Sequence, residues 1–334
     1  MNRGLRIQWG KPHYDLFEKI FLMPPPPQST PDACPLSAVL AAASTIILGK
    51  EHQLRLALSC LLARGHLLIE DLPGVGKTTL AHTLARLLGM DFQRIQFTSD
   101  MLPADVLGIS VFDSAAGAFR FHPGPIFTQL VLADEINRAT PKAQSALLEA
   151  MEERQVTVEG ATRPLPQPFF VIATQNPAHQ IGTFPLPESQ LDRFLMRIEL
   201  GYPDRVAERA LLEGRDRRSL LAETPPLLSP EALLTEQARA AAVHVAAPIF
   251  DYVQALIAHT RNAPEWKTGL SPRAGLGLIA AARAWALLAG RNHVLPEDVQ
   301  AVLPAVAVHR LPTVGDARSA AEIAQALIEA VPLP

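Results

Sequence analysis

Cysteine, charge of one dominant sign and long apolar runs are all scarce or missing in this chain of 334 residues. Its two cysteines, Cys34 and Cys60, are too few for a disulfide framework and lack the spacing of a zinc site, which favours a reducing, cytoplasmic setting. No segment approaches the roughly 20 apolar residues of a membrane-spanning helix, and the N-terminus lacks the pattern of a secretory signal. We therefore expect a soluble protein that is not exported.

The charges are nearly balanced, with 30 basic and 33 acidic residues and a net charge of −3. The basic residues are scattered along the chain, so the sequence shows neither the basic stripe of a nucleic-acid protein nor a tract for an acidic membrane. Apolar residues make up 48% of the chain, which is enough for ordinary globular cores, and the length favours about two domains. Proline is abundant, at 30 residues, and most prolines fall in predicted loops.

The segment from His66 to Leu80 carries the clearest functional signal. An apolar run predicts a buried strand, and a glycine turn followed by a lysine predicts a phosphate-binding loop at the start of a helix. The predicted loop residues are Pro73, Gly74, Val75, Gly76, Lys77, Thr78 and Thr79. Glycines let backbone N–H groups point at a phosphate, Lys77 can reach the β and γ phosphates, and the Thr78 hydroxyl can ligate Mg²⁺. The alternative is a solvated turn before a surface helix.

An acidic pair, Asp134 and Glu135, follows a second predicted buried strand. Ligands of open α/β sheets bind at the carboxyl ends of the strands, beside the phosphate loop. Asp134 is then placed to hold Mg²⁺, directly or through water, and Glu135 to polarise an attacking water. An isolated acidic pair after a strand is more commonly a helix N-terminal charge pair. The presence of Lys77 and Thr78 in the same chain favours the nucleotide site.

Asn176 follows shortly after a third predicted strand, which covers residues 169–173. It should lie at the same sheet edge as Asp134, where its amide can orient the lytic water. A turn-forming asparagine before a proline is the alternative, and both descriptions can hold together.

Strands alternate with helical patterns from residue 36 to residue 213, which predicts parallel βαβ units in an α/β, three-layer αβα core. Two hairpin-like insertions are predicted, within residues 98–125 and 155–168. The first can carry contacts to a substrate or be an ordinary surface loop. Residues 226–334 carry only helical patterns and predict a separate helical domain.

The first 35 residues look separate, because they end in a proline-rich linker. Apolar residues at helical spacing, Leu16, Phe17, Ile20 and Phe21, suggest a short docking helix for a partner. The favoured alternative is a poorly ordered extension.

Two arginines complete the candidate set. Arg193 lacks an obvious local role, and a surface salt bridge to Asp192 or Glu188 is the plain alternative. Ser271 predicts the cap of a long helix whose early residue Arg273 faces the nucleotide cleft, although a solvated arginine fits local rules equally well.

Six segments together resemble MoxR-type AAA+ ATPases, and the resemblance runs from about Leu36 to the C-terminus. They are Arg94–Asp105, Leu132–Ala139, Gln144–Glu153, Ala173–Pro177, Leu186–Phe194 and Ser271–Ala274. Asp71 departs from the usual loop pattern, which has a glycine there, so the fine geometry of the loop is open. The first 35 residues are not part of the resemblance.

The resemblance implies a role for each candidate. Lys77 and Thr78 correspond to the phosphate-loop pair, Asp134 and Glu135 to the Walker B pair, and Asn176 to the first sensor. Arg193 corresponds to an arginine finger that reaches a neighbour's γ-phosphate, and Arg273 to a second sensor on a helical lid. ATP and Mg²⁺ are the implied ligands, and a ring of copies, expected to be a hexamer, is the implied assembly.

The resemblance also implies a chaperone-like function, in which hydrolysis remodels or activates a partner protein. Partners of this family commonly carry von Willebrand A domains, and some receive a metal or cofactor. A magnesium-chelatase-like motor subunit is the alternative supported by the hairpin insertions. A nucleic-acid motor is disfavoured because the sequence has no basic stripe.

Overall fold

A sheet of five parallel strands forms the centre of the computed structural model, which describes residues 35–176, 183–214, 216–312 and 319–333. The strands of the described residues are β1 (Leu67–Glu70), β2 (Phe92–Gln96), β3 (Gly108–Asp113), β4 (Ala118–Pro123), β5 (Leu130–Asp134), β6 (Gln155–Val158), β7 (Ala161–Pro164), β8 (Phe170–Gln175) and β9 (Met196–Ile198). The central sheet has the order β2-β5-β8-β1-β9. Every pair of strands in it is parallel, so the carboxyl ends of all five strands lie together along one side of the sheet. We call this side the carboxyl edge and the opposite side, where the strands begin, the amino edge.

Helices flank the sheet and fill the C-terminal part of the chain. They are α1 (Pro35–Ile46), α2 (Glu51–Leu62), α3 (Lys77–Leu87), α4 (Pro103–Leu107), α5 (Pro141–Glu153), α6 (Glu188–Leu191), α7 (Arg205–Glu213), α8 (Arg217–Glu223), α9 (Pro230–Ala242), α10 (Ala247–Asn262), α11 (Pro272–Leu288), α12 (Pro296–Ala307) and α13 (Ala320–Ala330). Short 3-10 turns cover Ile136–Arg138 and Val308–Arg310.

Alternate residues of the strands face two different cores. In β1, Leu67 and Ile69 belong to one core and Leu68 belongs to the other. The first core includes the apolar faces of α1, α2 and α3, and the second includes Leu147 and Met151 of α5. A sheet buried on both faces by helices is a three-layer αβα arrangement, and the predicted fold class is confirmed.

The C-terminal helices pack on α2 rather than standing apart from it. Buried residues such as Leu61 of α2 and Leu278 of α11 belong to the same core. Cys60, also on α2, is fully buried there, and this burial raises the pKa of its thiol. The described residues belong to one compact unit. The predicted boundary between a core of residues 36–213 and a helical lid of residues 226–334 stays a prediction.

Two antiparallel hairpins project from this frame, β3 with β4 and β6 with β7. The first follows the short helix α4, where Gly108 at φ +99° ends the helix, so the hairpin follows a helical turn rather than interrupting a long helix. A Cβ at Gly108 would lie 2.4 Å from the carbonyl oxygen of His122, so only glycine fits this turn. The Arg163 guanidinium of the second hairpin lies 3.8 Å from the centre of the Phe121 ring of the first.

The predicted extension of residues 1–35, with its candidate docking helix, lies outside the described residues except for Pro35. Within the described ranges, no helix combines the length and the apolar character needed to cross a membrane. The cytoplasmic setting stays a prediction.

Candidate functional site

The loop between β1 and α3 has the backbone of a phosphate-binding turn. Gly74 has φ +84° and Gly76 has φ +98°, a left-handed conformation that side chains disfavour. A Cβ at either position would meet nothing within 4 Å, so backbone conformation and not crowding requires these glycines. Gly76 is the N-cap of α3, so the first N–H groups of the helix open toward the loop, where an anion is favoured.

Lys77 lies under this loop with only 9% of its surface exposed. Its Nζ donates to the carbonyl oxygens of Asp71 at 2.5 Å and Leu72 at 3.2 Å, and to Oδ1 of Asn176 at 3.5 Å. Burial lowers the pKa of Lys77, and the carboxylates of Asp71, Asp134 and Glu135 oppose that shift. The ammonium group therefore stands between the loop and the end of β8, at the carboxyl edge of the sheet.

Asp71, which stands in place of the usual glycine, is a buried structural residue of the loop. Its Oδ1 accepts the backbone N–H of Leu72 at 2.7 Å, and its Oδ2 accepts those of Leu200 and Gly201 at 2.6 Å each. The carboxylate thus ties the start of the loop to the chain that leaves β9. This contact answers the open question of the loop's fine geometry, because the side chain supplies an anchor that glycine lacks.

The acidic pair lies at the carboxyl end of β5. Asp134 is 8% exposed, accepts the Thr174 hydroxyl at 2.6 Å and forms an ion pair with Arg94 at 2.6 Å. The Thr174 oxygen in turn accepts the backbone N–H of Glu135 at 2.9 Å. One hydroxyl therefore fixes both acidic residues, and Glu135 is held at φ +56° in the left-handed region.

Asn176 joins the lysine to the second carboxylate. Its Oδ1 accepts from Lys77, and its Nδ2 donates to Oε1 of Glu135 at 3.4 Å. The other carboxylate oxygen of Glu135 accepts from Arg138 at 2.8 Å and from Gln96 at 3.0 Å. The structure thus brings Lys77, Glu135 and Asn176 together at one sheet edge, as the sequence predicted for their strands.

The protein side chains near the loop fit a magnesium ion whose other ligands are phosphate oxygens and water. Among the described residues, no group of three or more His, Cys, Asp or Glu side chains could hold a metal alone. Thr78 lines a cavity of about 630 Å³ together with Arg94, the residue paired with Asp134. One hydroxyl and one carboxylate leave most ligand positions to phosphate oxygens and water, which is the usual way that proteins hold Mg²⁺.

An apolar slot of about 240 Å³ adjoins the loop. Besides Gly74, Val75 and Gly76, its lining includes Ile46, Ile47, Leu48, Tyr202, Pro203 and Leu211. A slot of this kind beside a phosphate loop suits a nucleotide base. Sequence reasoning missed these residues because they come from the end of α1 and the segment after β9, where each looked like an ordinary helix end or loop.

Arg193 and Arg273 lie at the opposite edge of the sheet. Arg193 donates to the Leu148 carbonyl of α5 at 2.6 Å, and Arg273 forms an ion pair with Glu152 near the end of the same helix. His66, just before β1, donates to the adjacent Met151 carbonyl at 3.3 Å. The C-terminal end of α5 therefore lies beside the amino ends of the strands.

This placement differs from two sequence expectations. The alternative of a salt bridge from Arg193 to Asp192 or Glu188 is not seen among the described residues, where Asp192 pairs with Arg310 at 2.6 Å and Arg193 donates to the Leu148 carbonyl. Arg273 does not face the cleft of its own chain, because its helix α11 begins beside the end of α5. β1 alone separates the two edges by about 13 Å, at about 3.3 Å per residue.

Arg94, Gln96 and Thr174 are further residues of the site that the sequence did not single out. All three lie on strands adjacent to β5, and Gln96 is directly opposite Asp134 in the β2–β5 register. The strand order would have found them, since neighbours at the carboxyl edge necessarily converge on the acidic pair.

The glycine loop after β1 and the acidic pair at the carboxyl end of β5, two strands away in the sheet, are the features of a P-loop nucleotide-binding protein of the αβα class. Residues 66–196 match the family model described as the ATPase family associated with various cellular activities (AAA), and residues 258–331 match the AAA lid domain.

Similar proteins narrow this class. Chaperone MoxR1 of Mycobacterium tuberculosis is 44% identical over 285 residues, covering 81% of this chain and 74% of the relative. The uncharacterized protein YeaC of Bacillus subtilis is 45% identical over 266 residues, covering 80% and 83%. A crystal structure of a candidate ATPase from Cytophaga hutchinsonii superposes with a TM-score of 0.81 at 33% identity, covering 90% and 95%. The chain belongs to the MoxR family of AAA+ ATPases.

Proposed function

We propose that this protein hydrolyses ATP in a ring of identical subunits and uses the hydrolysis to remodel or activate a partner protein. The observation that carries the proposal is the contact chain from Lys77 through Asn176 to Glu135. It joins a phosphate-binding cation to a carboxylate suited to activate water, with a polar amide between them.

Each residue then has a task in its own subunit. The N–H groups of the loop and Lys77 bind the β and γ phosphates, and the apolar slot holds the base. Glu135 accepts the proton of the attacking water, and Asn176 orients that water. Thr78 and Asp134 would hold Mg²⁺, which when bound would neutralise negative charge on the phosphates.

The two arginines act on the neighbouring subunit's nucleotide. They lie at the amino edge of the sheet, so they are remote from their own phosphate loop. An arginine supplied across an interface contributes roughly 10³ to 10⁵ in rate to phosphoryl transfer. Hydrolysis therefore requires a ring, and a hexamer is the assembly that the family suggests.

The first hairpin supplies a surface for the partner protein. Ile109, Val111, Phe112 and Phe119 are all about half exposed or more on it, which is an unusual apolar content for a projecting element. The relative named a chaperone, MoxR1, supports a protein client. A client with a von Willebrand A domain, and the insertion of a metal or cofactor into it, are the family's suggestion for this chain.

Mixed rings test the proposal. Glu135→Gln protein should bind ATP without hydrolysing it, and Arg193→Ala protein should have an intact pocket but no finger for its neighbour. Neither alone should hydrolyse ATP at an appreciable rate, and their mixture should recover activity because Glu135→Gln subunits lend Arg193 to the intact pockets. A mixture no faster than its components contradicts the trans arrangement.

The client is tested separately. Glu135→Gln protein should retain a partner in the presence of ATP and release it in the presence of ADP, with Lys77→Ala protein as the matched control that does not bind nucleotide. Retention that is the same in all three conditions would contradict ATP-driven action on a protein. DNA-stimulated hydrolysis across salt concentrations would instead favour the nucleic-acid alternative.

A further inference from the structure

The carboxylate of Asp192 joins three separate parts of the chain. It accepts the Nε–H of Arg310 at 2.6 Å and the hydroxyl of Ser271 at 3.3 Å. Ser271 is also the N-cap of α11, since its hydroxyl accepts the N–H of Ala274 at 3.1 Å. The residue before Arg193 is therefore tied to the start of the helix that carries Arg273.

Arg310 is buried, with 5% of its side chain exposed, and uses every N–H it has. Besides the bond to Asp192, its Nη1 donates to the carbonyl oxygens of Leu195, at 3.1 Å, and Val306. Its Nη2 donates to the carbonyl oxygens of Asp192 at 3.1 Å and Phe194 at 2.6 Å. A guanidinium has five N–H donors in a fixed fork, and here five acceptors meet them.

Three of those acceptors are main-chain carbonyls of residues 192–195, the segment that carries Arg193. The carbonyl of Phe194 also accepts from the neighbouring His309 at 3.1 Å. The backbone on both sides of Arg193 is thus fixed from the C-terminal helical region, while the Arg193 side chain itself extends to α5.

We propose that Arg310 is a positioning residue for ATP hydrolysis in the neighbouring subunit, because it holds the chain around Arg193 and, through Asp192 and Ser271, the start of the helix carrying Arg273. Arg310 touches no reacting atom. It fixes the backbone positions from which both arginines extend across the interface. The inference rests on the proposed function, in which these arginines act in trans.

The chemistry of the fork makes Arg310→Lys the informative variant. Lysine keeps the positive charge next to Asp192 but offers three donors from one atom, so it cannot satisfy five acceptors spread around the edge of the planar guanidinium. A misplacement of about 1 Å can cost a catalytic arrangement roughly 10²-fold. Arg310→Lys should therefore lower kcat by about 10- to 100-fold while the affinity for ATP at its own pocket stays within about twofold.

Arg291→Lys is the matched control. Arg291 belongs to the same helical region and forms a two-pronged ion pair with Asp298, one arm at 2.6 Å, without contacting residues 192–195. Arg291→Lys protein should retain kcat within about twofold, since it loses a two-pronged pairing with the buried Asp298 at a place that does not support Arg193. A fall in kcat equal to that of Arg310→Lys would mean that general loosening of the helical region is the cause.

Mixed rings separate positioning from simple damage. An Arg310→Lys subunit has an intact pocket and should regain its rate beside a Glu135→Gln subunit, which supplies a correctly held Arg193. The variant Arg193→Ala/Arg273→Ala/Arg310→Lys should be no slower than Arg193→Ala/Arg273→Ala, because Arg310 acts through these two arginines. The inference would be overturned if mixing did not restore the rate, or if the fall in kcat of the combined variant equalled the product of the separate falls.

Asp192→Asn provides an independent arm if the Arg310 variant folds poorly. It keeps the shape of the side chain, weakens the bond to Arg310 and should give a smaller fall in kcat with the same rescue. If Arg193→Ala is rescued in mixed rings but Arg310→Lys and Asp192→Asn are not, the inference fails and the proposed function stands. If mixing does not restore the rate of Arg193→Ala protein, the proposed action of Arg193 in trans is wrong, and the inference about Arg310 falls with it.

Discussion

The carboxylate of Asp71 accepts the backbone N–H of Gly201 at 2.6 Å, although the two residues are 130 positions apart in the sequence. The same oxygen accepts the N–H of Leu200. A side chain that departs from the usual loop pattern therefore fastens the phosphate loop to the segment that leaves the edge strand β9. Substitution by the pattern's own glycine should harm this protein.

Asp71→Gly should lower the free energy of unfolding by about 3 kcal/mol, because it removes several hydrogen bonds to a buried charged acceptor. It should also weaken ATP binding, since the loop loses its anchor. Urea denaturation and nucleotide titration measure the two effects. Asp113→Gly is the control, because Asp113 accepts two N–H groups in an exposed turn, and we expect a loss below about 1 kcal/mol there. An Asp71→Gly protein as stable as the parent would contradict the anchoring role.

Thr174→Val should slow hydrolysis while ATP still binds. Its hydroxyl donates to Asp134 and accepts the Glu135 N–H, and valine preserves the shape but leaves both partners unsatisfied. We expect a fall in kcat of about 10-fold or more, from a loss on the order of 1.4 kcal/mol or more. Thr174→Ser keeps the hydroxyl and should stay close to the parent. Equal rates for the valine and serine variants would mean that the hydroxyl does not support the acidic pair.

Arg273→Ala should be rescued in trans, like Arg193→Ala. Because Arg273 pairs with Glu152 at the amino edge of the sheet, its reach is toward a neighbour and not toward its own loop. The steady-state rate of Arg273→Ala protein should rise on mixing with Glu135→Gln protein. A rate per Arg273→Ala subunit that does not rise on mixing would assign Arg273 to the nucleotide of its own subunit.

Acidification should destabilise the fold through His66. Burial lowers the pKa of His66 from 6.5 to about 4, so the folded state keeps this imidazole neutral while the unfolded state takes up a proton. The stability it contributes is complete above about pH 6.5 and falls by up to about 3 kcal/mol as the pH drops to about 4. Unfolding free energies across this range should therefore have a shallower slope in His66→Gln protein. A slope that His66→Gln leaves unchanged would contradict this origin of the pH dependence.

The tip of the first hairpin should matter for the client and not for basal hydrolysis. The rings of Phe112 and Phe119 lie 5.4 Å apart, edge to face, and are 55% and 73% exposed. Replacing both by serine should leave the ATPase rate within about twofold and abolish ATP-dependent retention of a partner by Glu135→Gln protein. Undiminished retention would place the client surface elsewhere.

Local signals predicted the elements well because each was complete within a few residues. The bounds of α5 illustrate this, since Thr140 caps the helix, Pro141 suits its first turn and Arg154 leaves it in a left-handed conformation. The glycine loop and the acidic pair were likewise visible as short motifs beside apolar strands. Parallel pairing then brings the carboxyl ends of those strands together.

The features that the sequence did not reveal depend on contacts between distant parts of the chain. Nothing near Asp71 reveals that two N–H groups after β9 will meet it, and nothing near Arg273 reveals that α11 begins beside the end of α5. The sequence near Arg310 is equally uninformative about its role, because most of its five acceptors lie in a segment more than 110 residues earlier. Sequence patterns predict which strands are followed by catalytic residues. Tertiary packing decides at which end of the strands an arginine side chain lies.

The buried thiol of Cys60 gives the molecule an internal reporter of opening. It lies in the core shared by α2 and the C-terminal helices, and burial keeps it protonated, so an alkylating reagent reaches it only when those layers separate. With Cys34 replaced by serine, the labelling rate of the remaining thiol would measure how often the shared core opens. Labelling rates measured with ATP, with ADP and without nucleotide would show whether a bound nucleotide changes how often the helical region separates from α2.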